Sequence, residues 1–277
     1  LLDFKEEFQQ DRRGDYPTPG SILRKSGALS YQKYYRYSLR GLPRSGKTDA
    51  RIQECIKDVF DNPYLPGSSI KGALRTAIAW TGWSEKGMKL DSSDLAGQKI
   101  EKALFGQQPN SDLLRALHVS DCFSDHANEK LVITNAQVMT KRDFGSPIEL
   151  EAVAGDVVFS GSLKIDDFLF TEQAERQLHF SDRKHWLSEL MARAQKHSHA
   201  RIGAMLKWFA STDDGAQVVN FLDQLSRFNP GPDQALIQLG WGTGWDGKTF
   251  WTHLKQDEYL FEKILKDYRM VRKGRRE

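Results

Sequence analysis

The chain has 277 residues, with 40 Lys and Arg against 37 Asp and Glu, for a net charge of +3. That length suits one large domain or two ordinary ones and gives enough interior for a core without staples. Apolar residues at 39% and charged residues at 28% exclude a disordered chain, and no apolar run reaches the roughly 20 residues of a membrane helix. Two cysteines, Cys55 and Cys122, exclude a disulfide framework and a four-cysteine zinc site. The charged start, Leu1-Leu2-Asp3-Phe4-Lys5-Glu6-Glu7, has no signal-peptide core, so the thiols read as reduced ones in a cytoplasmic protein.

Residues 1–13 read as a short polar helix, and Gly14 to Gly20, with Pro17 and Pro19, as a loop. Ser30 to Leu39 has β-type composition, Asp49 to Phe60 helical spacing, and Asp61-Asn62-Pro63 a break. Ser68 to Trp83 is the clearest helix, with Ile70, Leu74, Ala77 and Ile78 on one face. Residues 95–105 suggest another. Strand-like runs follow at Leu117–Phe123, Leu131–Thr140, Ile148–Val153 and Val157–Ile165. Asp166 to Trp208 is mostly helical with Gly203 as an interruption, and Gln217 to Arg227 is a further helix. After Phe228-Asn229-Pro230-Gly231-Pro232 come a strand-like Ala235–Leu239, a glycine-rich stretch and a helical tail. Helices and strands in mixed order, without βαβ alternation, predict an α+β fold.

Cations cluster twice. Lys33, Arg36, Arg40, Arg44, Lys47 and Arg51 face one acid, Asp49; Lys266, Arg269, Arg272, Lys273, Arg275 and Arg276 face Asp267. Tyr31, Tyr34, Tyr35, Tyr37 and Tyr268 are interleaved, which suits phosphates and stacked bases; the plainer alternative is two solvated faces. Gly41-Leu42-Pro43-Arg44-Ser45-Gly46-Lys47-Thr48 matches the phosphate-binding G-x-x-x-x-G-K-[ST] pattern. A nucleotide site would use Lys47 on the β/γ-phosphates and Thr48 on Mg²⁺. The preceding run is cationic and alternating rather than aliphatic, and Leu163-Lys164-Ile165-Asp166 is a poor partner motif, so the pattern reads as a basic loop between a strand and a helix, with the nucleotide site as the alternative.

Pro66-Gly67-Ser68-Ser69-Ile70-Lys71-Gly72-Ala73-Leu74-Arg75 is more informative. Pro-Gly makes a turn, Ser68 or Ser69 offers a cap, and the helix N-terminus is a phosphate site in waiting. Lys71 and Arg75, four apart, share a face, and Gly72 between them allows close backbone approach. Ordinary capping with two exposed cations explains the same residues.

The segment PGSSIKGALRTAI resembles the signature of the RAMP superfamily, the repeat-associated RNA-binding proteins of CRISPR systems. Ile52–Asp58, Asn62-Pro63-Tyr64, Leu117–Asp121, Pro147–Phe159 and Leu239–Thr249 extend the likeness, which is strongest to the subunits that cap type III-A (Csm) complexes, with another RAMP subunit, a Csm or Cmr backbone member or a Cmr-type cap, as the alternative. The resemblance implies ferredoxin-like/RRM-like domains, two in tandem with helical insertions: 1–165, a helical region 166–229, and 230–277 completing the second domain. It implies RNA contacts from Gly67, Ser68, Ser69, Lys71, Gly72 and Arg75. It adds the glycine-rich loop Gly240, Trp241, Gly242, Thr243, Gly244, Trp245 and Lys248. The implied partners are CRISPR RNA, target RNA through the complex, and other Csm RAMP subunits, especially the adjacent backbone and small subunits. The implied role is to cap the backbone filament at the 3′ part of the CRISPR RNA, supporting its maturation and antiviral defence. RAMP proteins usually open with a strand and a Pro-Val-His-Ile-Gly-like turn; nothing similar precedes Leu1-Leu2. That leaves an incomplete chain or a lost first strand. Taken alone, the glycine loop also fits a tight hairpin whose tryptophans are core.

No catalytic residue, metal or cofactor is expected. His197-Ser198-His199 and His118 with His126 lack zinc-type company, and neither G-x-S-x-G nor H-E-x-x-H occurs. Asp121 and Asp125 near His126 offer an acid–base set, but Asp121 ends a strand and reads as structural.

Overall fold

The computed structural model describes residues 17, 19–25, 27, 35–44, 51–89 and 98–267. The expected helix over 1–13, residues 30–34 of the expected strand over 30–39, Ser45–Thr48 and the tail cations from Arg269 onward lie outside these residues. In chain order come α1 (Pro19–Lys25), α2 (Gly67–Glu85), α3 (Gln98–Phe105), β1 (Leu117–Val119), β2 (Leu131–Ala136), β3 (Ile148–Val153) and β4 (Leu163–Ile165). Then follow α4 (Glu172–Leu178), α5 (Lys184–Ser188), α6 (Leu190–Phe209), α7 (Ala216–Ser226), α8 (Trp251–Leu254) and α9 (Glu258–Asp267). The described strands form two antiparallel pairs, β1 with β4 and β2 with β3. Helices with small antiparallel sheets are the α+β class the sequence predicts. None of the described helices is long and apolar enough to cross a membrane.

The core gathers on α2. Leu74, Ala77, Ile78 and Trp83 are buried with Ile100, Leu104 and Phe105 of α3, Leu117 of β1, Phe180, Trp186, and Leu190 and Ala194 of α6. Each large apolar side chain so placed contributes about 1.5–3 kcal/mol. The helix ends where Gly87 and Met88 N–H groups bond Ser84 and Trp83 carbonyls at 3.3 and 3.0 Å, a Schellman closure, and Met88 packs on the core. Buried Arg193 fixes α6 to α2, bonding Thr81 Oγ1 at 2.9 Å and Glu85 at 2.9 Å.

Five local expectations are corrected. Residues 51–58 are extended and 58–62 form a turn, with no helix in the described part of the expected 49–60 span: Gln53 N–H donates to Glu149 O (2.8 Å) and Gln53 O accepts from Glu151 N–H (2.9 Å), fastening the segment beside β3. Lys57 is drawn onto Glu151 Oε2 at 2.6 Å, while Ile56, Val59 and Phe60 are exposed. Residues 35–39 carry no ladder; only Arg40 bridges Val132. Residues 235–239 form no strand, because α6 side chains claim their backbone: Gln195 Oε1 accepts from Leu236 N–H (2.8 Å) and Ser198 Oγ donates to Leu236 O. Gly203 does not interrupt α6, and Gly20, assigned to a loop, lies in α1.

Candidate nucleic-acid interface

Neither serine caps α2. Pro66 is the N-cap residue, and Ser68 and Ser69 lie exposed inside the first turn. The Gly67 N–H is taken by Asp121 Oδ1 at 2.7 Å, which sets a carboxylate on the positive helix end, and the Pro66 carbonyl accepts from Ser69 and Ile70. Gly67 is an internal requirement: a Cβ there would lie 2.3 Å from Val119 O and 2.7 Å from Ser120 backbone. Gly72 is the reverse case, exposed with nothing within 4 Å of an added Cβ.

The two cations are turned into the protein. Lys71 Nζ donates to Leu117 O at 2.7 Å, and burial holds its pKa below the usual lysine range, with Asp112 opposing. Arg75 bonds Asp112 Oδ2 at 2.8 Å, reaches Glu101 at 3.8 Å and lies 3.9 Å from the Phe105 ring centroid. Sequence reasoning missed Asp112: its carboxylate also caps the Leu114 N–H at 2.8 Å, and only the fold brings it to α2.

The glycine loop divides by face. Gly240, Gly242 and Gly244 have φ of +85, +86 and +67°, a left-handed run that other residues adopt only with strain. Thr243 between them is buried, its Oγ1 donating to Gly240 O at 3.1 Å, and Trp245 packs against the core near Phe261. Trp241 is 59% exposed, and Lys248 is exposed. So one tryptophan meets the hairpin reading and the other stands out for stacking. Arg201 of α6, unremarked in the sequence, braces the loop. Its Nη2 bonds Gln238 Oε1 at 2.8 Å and lies 3.5 Å from Thr243 O. Burial lowers the Arg201 pKa, opposed by Asp246. Arg201 and Gly247 line a groove of about 380 Å³ with Ala73 and Ala77, which sets the glycine loop beside the second and third turns of α2.

Two features of the residues flanking Ser45–Thr48 speak against the nucleotide-site alternative. A phosphate-binding loop runs directly into a helix, whereas residues 51–57 are extended. Arg40 makes a single parallel bridge to Val132 at the edge of an antiparallel pair, Ile133 N–H donating to Arg40 O at 2.8 Å, and among the described residues it is not a strand inside a parallel sheet. In the basic run, Arg36 is already paired with Asp61, and Arg40, Arg44 and Arg51 are exposed. Among the described residues no group of three or more His, Cys, Asp or Glu is placed to hold a metal. His118 and His126 are exposed; His197 is buried against Trp80 and Arg201.

Two curated relatives carry the name CRISPR system Cms protein Csm5. The one from Methanocaldococcus jannaschii is 29% identical over 118 residues, 39% of this chain; the one from Streptococcus thermophilus is 30% identical over 96 residues, 33% of this chain. The matched stretch spans only 27% of the length of either relative. Two solved structures share the fold, each at TM-score 0.66. A chain of a Csm–crRNA–target RNA ternary complex of a type III-A CRISPR-Cas system is 21% identical, matching 84% of this chain and 71% of its own. The crystal structure of T. onnurineus Csm5 is 20% identical, matching 95% and 82%. The family model of the RAMP superfamily matches residues 41–245, a span that takes in the helix-opening Pro66–Arg75 and the glycine loop through Trp245, and the chain belongs to that superfamily.

Proposed function

We propose that this protein is an RNA-binding structural subunit of a type III-A CRISPR effector complex, related to Csm5, and that it caps the backbone filament at the 3′ part of the CRISPR RNA without performing chemistry. The observation that carries the reading is the glycine loop: three left-handed glycines expose backbone and Trp241 beside α2 in a RAMP chain. Such a surface takes phosphates and one stacked base largely without reading sequence. The likeness to a Csm–crRNA–target RNA assembly supports CRISPR RNA, target RNA and neighbouring Csm subunits as partners.

Ser68, Ser69 and Gly72 line the open side of the α2 entrance, and Lys71 supplies its charge. Lys71 leaves only a neutral carbonyl when it turns to a phosphate, whereas Arg75 must leave two carboxylates. Lys71→Ala therefore lowers the salt slope of single-stranded RNA binding by about 0.7, the release of one counterion, while Arg75→Ala acts mainly on stability. An unchanged slope in Lys71→Ala removes that residue from the interface. The decisive experiment is gentle purification of the tagged protein from its host, sequencing the RNA that accompanies it and identifying the proteins. Short RNAs with repeat-derived 5′ tags alongside other RAMP subunits are the expected result; neither RNA nor RAMP partners refutes the reading.

A further inference from the structure

The ribbon formed by β1 and β4 continues past its regular ladder. Ser120 N–H donates to Ser162 O at 3.0 Å, and Ser162 N–H to Ser120 Oγ at 2.8 Å. Phe123 and Ser160 then exchange backbone bonds of 3.0 and 2.8 Å. Between these pairs, Asp121 and Cys122 oppose Gly161 alone, which is a β-bulge. A Cβ at Gly161 would meet Cys122 Sγ at 2.3 Å and Asp121 O at 3.1 Å. The extra residue keeps Phe123 on the face of His118 and Ser120, where strict alternation would turn it over. Ser160, Ser162 and Lys164 share that face on the other strand, and His118 stands opposite Lys164. All six side chains belong to exposed residues.

A third segment joins this row. Leu65 and Cys122 exchange two backbone bonds of 2.9 Å in antiparallel sense, which sets Tyr64 opposite Phe123. Their rings stack with centroids 5.6 Å apart at 22°. Phe123 is nonetheless 51% exposed, so a backbone-held aromatic ring, supported by Tyr64, stands open to solvent. The row holds one lysine, one histidine, three serines and no carboxylate. The nearest acid in sequence, Asp121, is spent on the Gly67 N–H. A stacking ring, hydroxyls and a cationic end complement a nucleotide. A protein-docking core, by contrast, is depleted in Ser and Lys.

We infer that this ribbon face is a platform for single-stranded RNA, on which Phe123, backed by Tyr64, stacks a nucleobase while Lys164 and His118 meet backbone phosphate. The inference rests on the RNA-binding reading above and adds a surface separate from the glycine loop. It takes unpaired RNA, because a base inside a duplex has no free face.

The test titrates the full chain against a labelled, unstructured single-stranded RNA and a duplex RNA, by fluorescence anisotropy over a range of salt. Phe123→Ala binds single strands about tenfold more weakly with an unchanged salt slope, and Phe123→Trp restores affinity. Lys164→Ala lowers the slope by about 0.7. Duplex binding does not respond to Phe123. A thermal melt checks that Phe123→Ala is folded, as its exposure leads one to expect. Trp241→Ala in the glycine loop reports on the underlying reading. If Trp241→Ala weakens binding and Phe123→Ala does not, the platform is refuted and the RNA-binding reading stands. If the unaltered protein binds no RNA, that reading fails and the platform with it. If Phe123→Ala spares RNA binding but releases a neighbouring subunit, the face is a protein contact and the inference is overturned.

Discussion

Lys57→Met tests what holds residues 51–65 in place. Lys57 Nζ lies 2.6 Å from Glu151 Oε2 and 2.8 Å from Tyr37 OH, and the two charged side chains are 4% and 0% exposed. Among the described residues the segment is also fastened to β3 by the Gln53 bonds and by a long one, 3.4 Å, from Cys55 N–H to Glu151. Its apolar residues Ile56, Val59 and Phe60 are exposed, so burial adds little. Removing one partner of a buried pair strands the other charge and costs about 3–5 kcal/mol. The loss falls on this segment rather than on the core beneath α2, where none of its residues packs. Amide exchange at Gln53 and Glu151 should therefore accelerate by a factor of about 10² to 10⁴, while the thermal midpoint moves little. Lys57→Met with Glu151→Leu, which removes both charges, should recover most of the protection. Burial by itself lowers the Lys57 pKa, but the bonds to Glu151 and Tyr37 outweigh it and raise the group. A raised lysine stabilises fully below its unfolded pKa of about 10.4 and loses that contribution as pH climbs through the folded value. The effect should thus be flat through neutral pH and fade only in alkali. Unaltered exchange in Lys57→Met would show that the backbone ladder alone holds the segment.

Asp121→Ala removes the acceptor of the Gly67 N–H and the negative charge at the start of α2, and should cost about 1–2 kcal/mol in urea unfolding, with Asp121→Asn losing less. Gly242→Ala forces a side chain to φ +86° and should weaken RNA binding in the anisotropy assay, with about 1 kcal/mol lost in stability because the loop is exposed. Burial, reinforced by Arg201 and His253, lowers His197 to about 4 from an unfolded value of about 6.5. The unfolded chain then binds the extra proton between those values, so stability should fall on the order of 3 kcal/mol as pH drops through that window. His197→Phe should flatten that slope in urea midpoints taken at both ends of it.

What was legible in the sequence is what local physics decides. The α2 face shows in the spacing of Leu74, Ala77 and Ile78, and β3 in its composition, because nothing elsewhere competes for those backbones. Residues 52–60 mimic a helix by the same spacing, yet the deciding contact is Glu151, nearly a hundred residues on. The strand-like Ala235–Leu239 fails for the same reason, its backbone satisfied by Gln195 and Ser198 of α6. In the candidate interface the small residues were legible, since a glycine with φ near +86° needs no partner to be what it is. The cations were not. Whether Lys71 and Arg75 face solvent depends on Leu117 O, Asp112 and Glu101, and spacing carries no information about those.

The bulge at Asp121 and Cys122 links the helix entrance to the ribbon face. Two residues occupy one ladder position, and each is used differently. Asp121 turns its carboxylate to Gly67 and so fixes where α2 begins. Cys122 pairs with Leu65 and so brings Tyr64 beneath Phe123. Pro66 is held between these two attachments, at Leu65 and Gly67, and Gly67 has no room for a Cβ because the strand backbone already lies against it. The glycine that the sequence offers as a place for RNA to approach is thus occupied by the protein's own strand. The exposed residues on either side of it, Ser68, Ser69 and Gly72 on the helix and Phe123 on the ribbon, owe their positions to that packing. A mount fixed at both ends suits the proposed RNA-binding surface, because binding then spends little on ordering the protein.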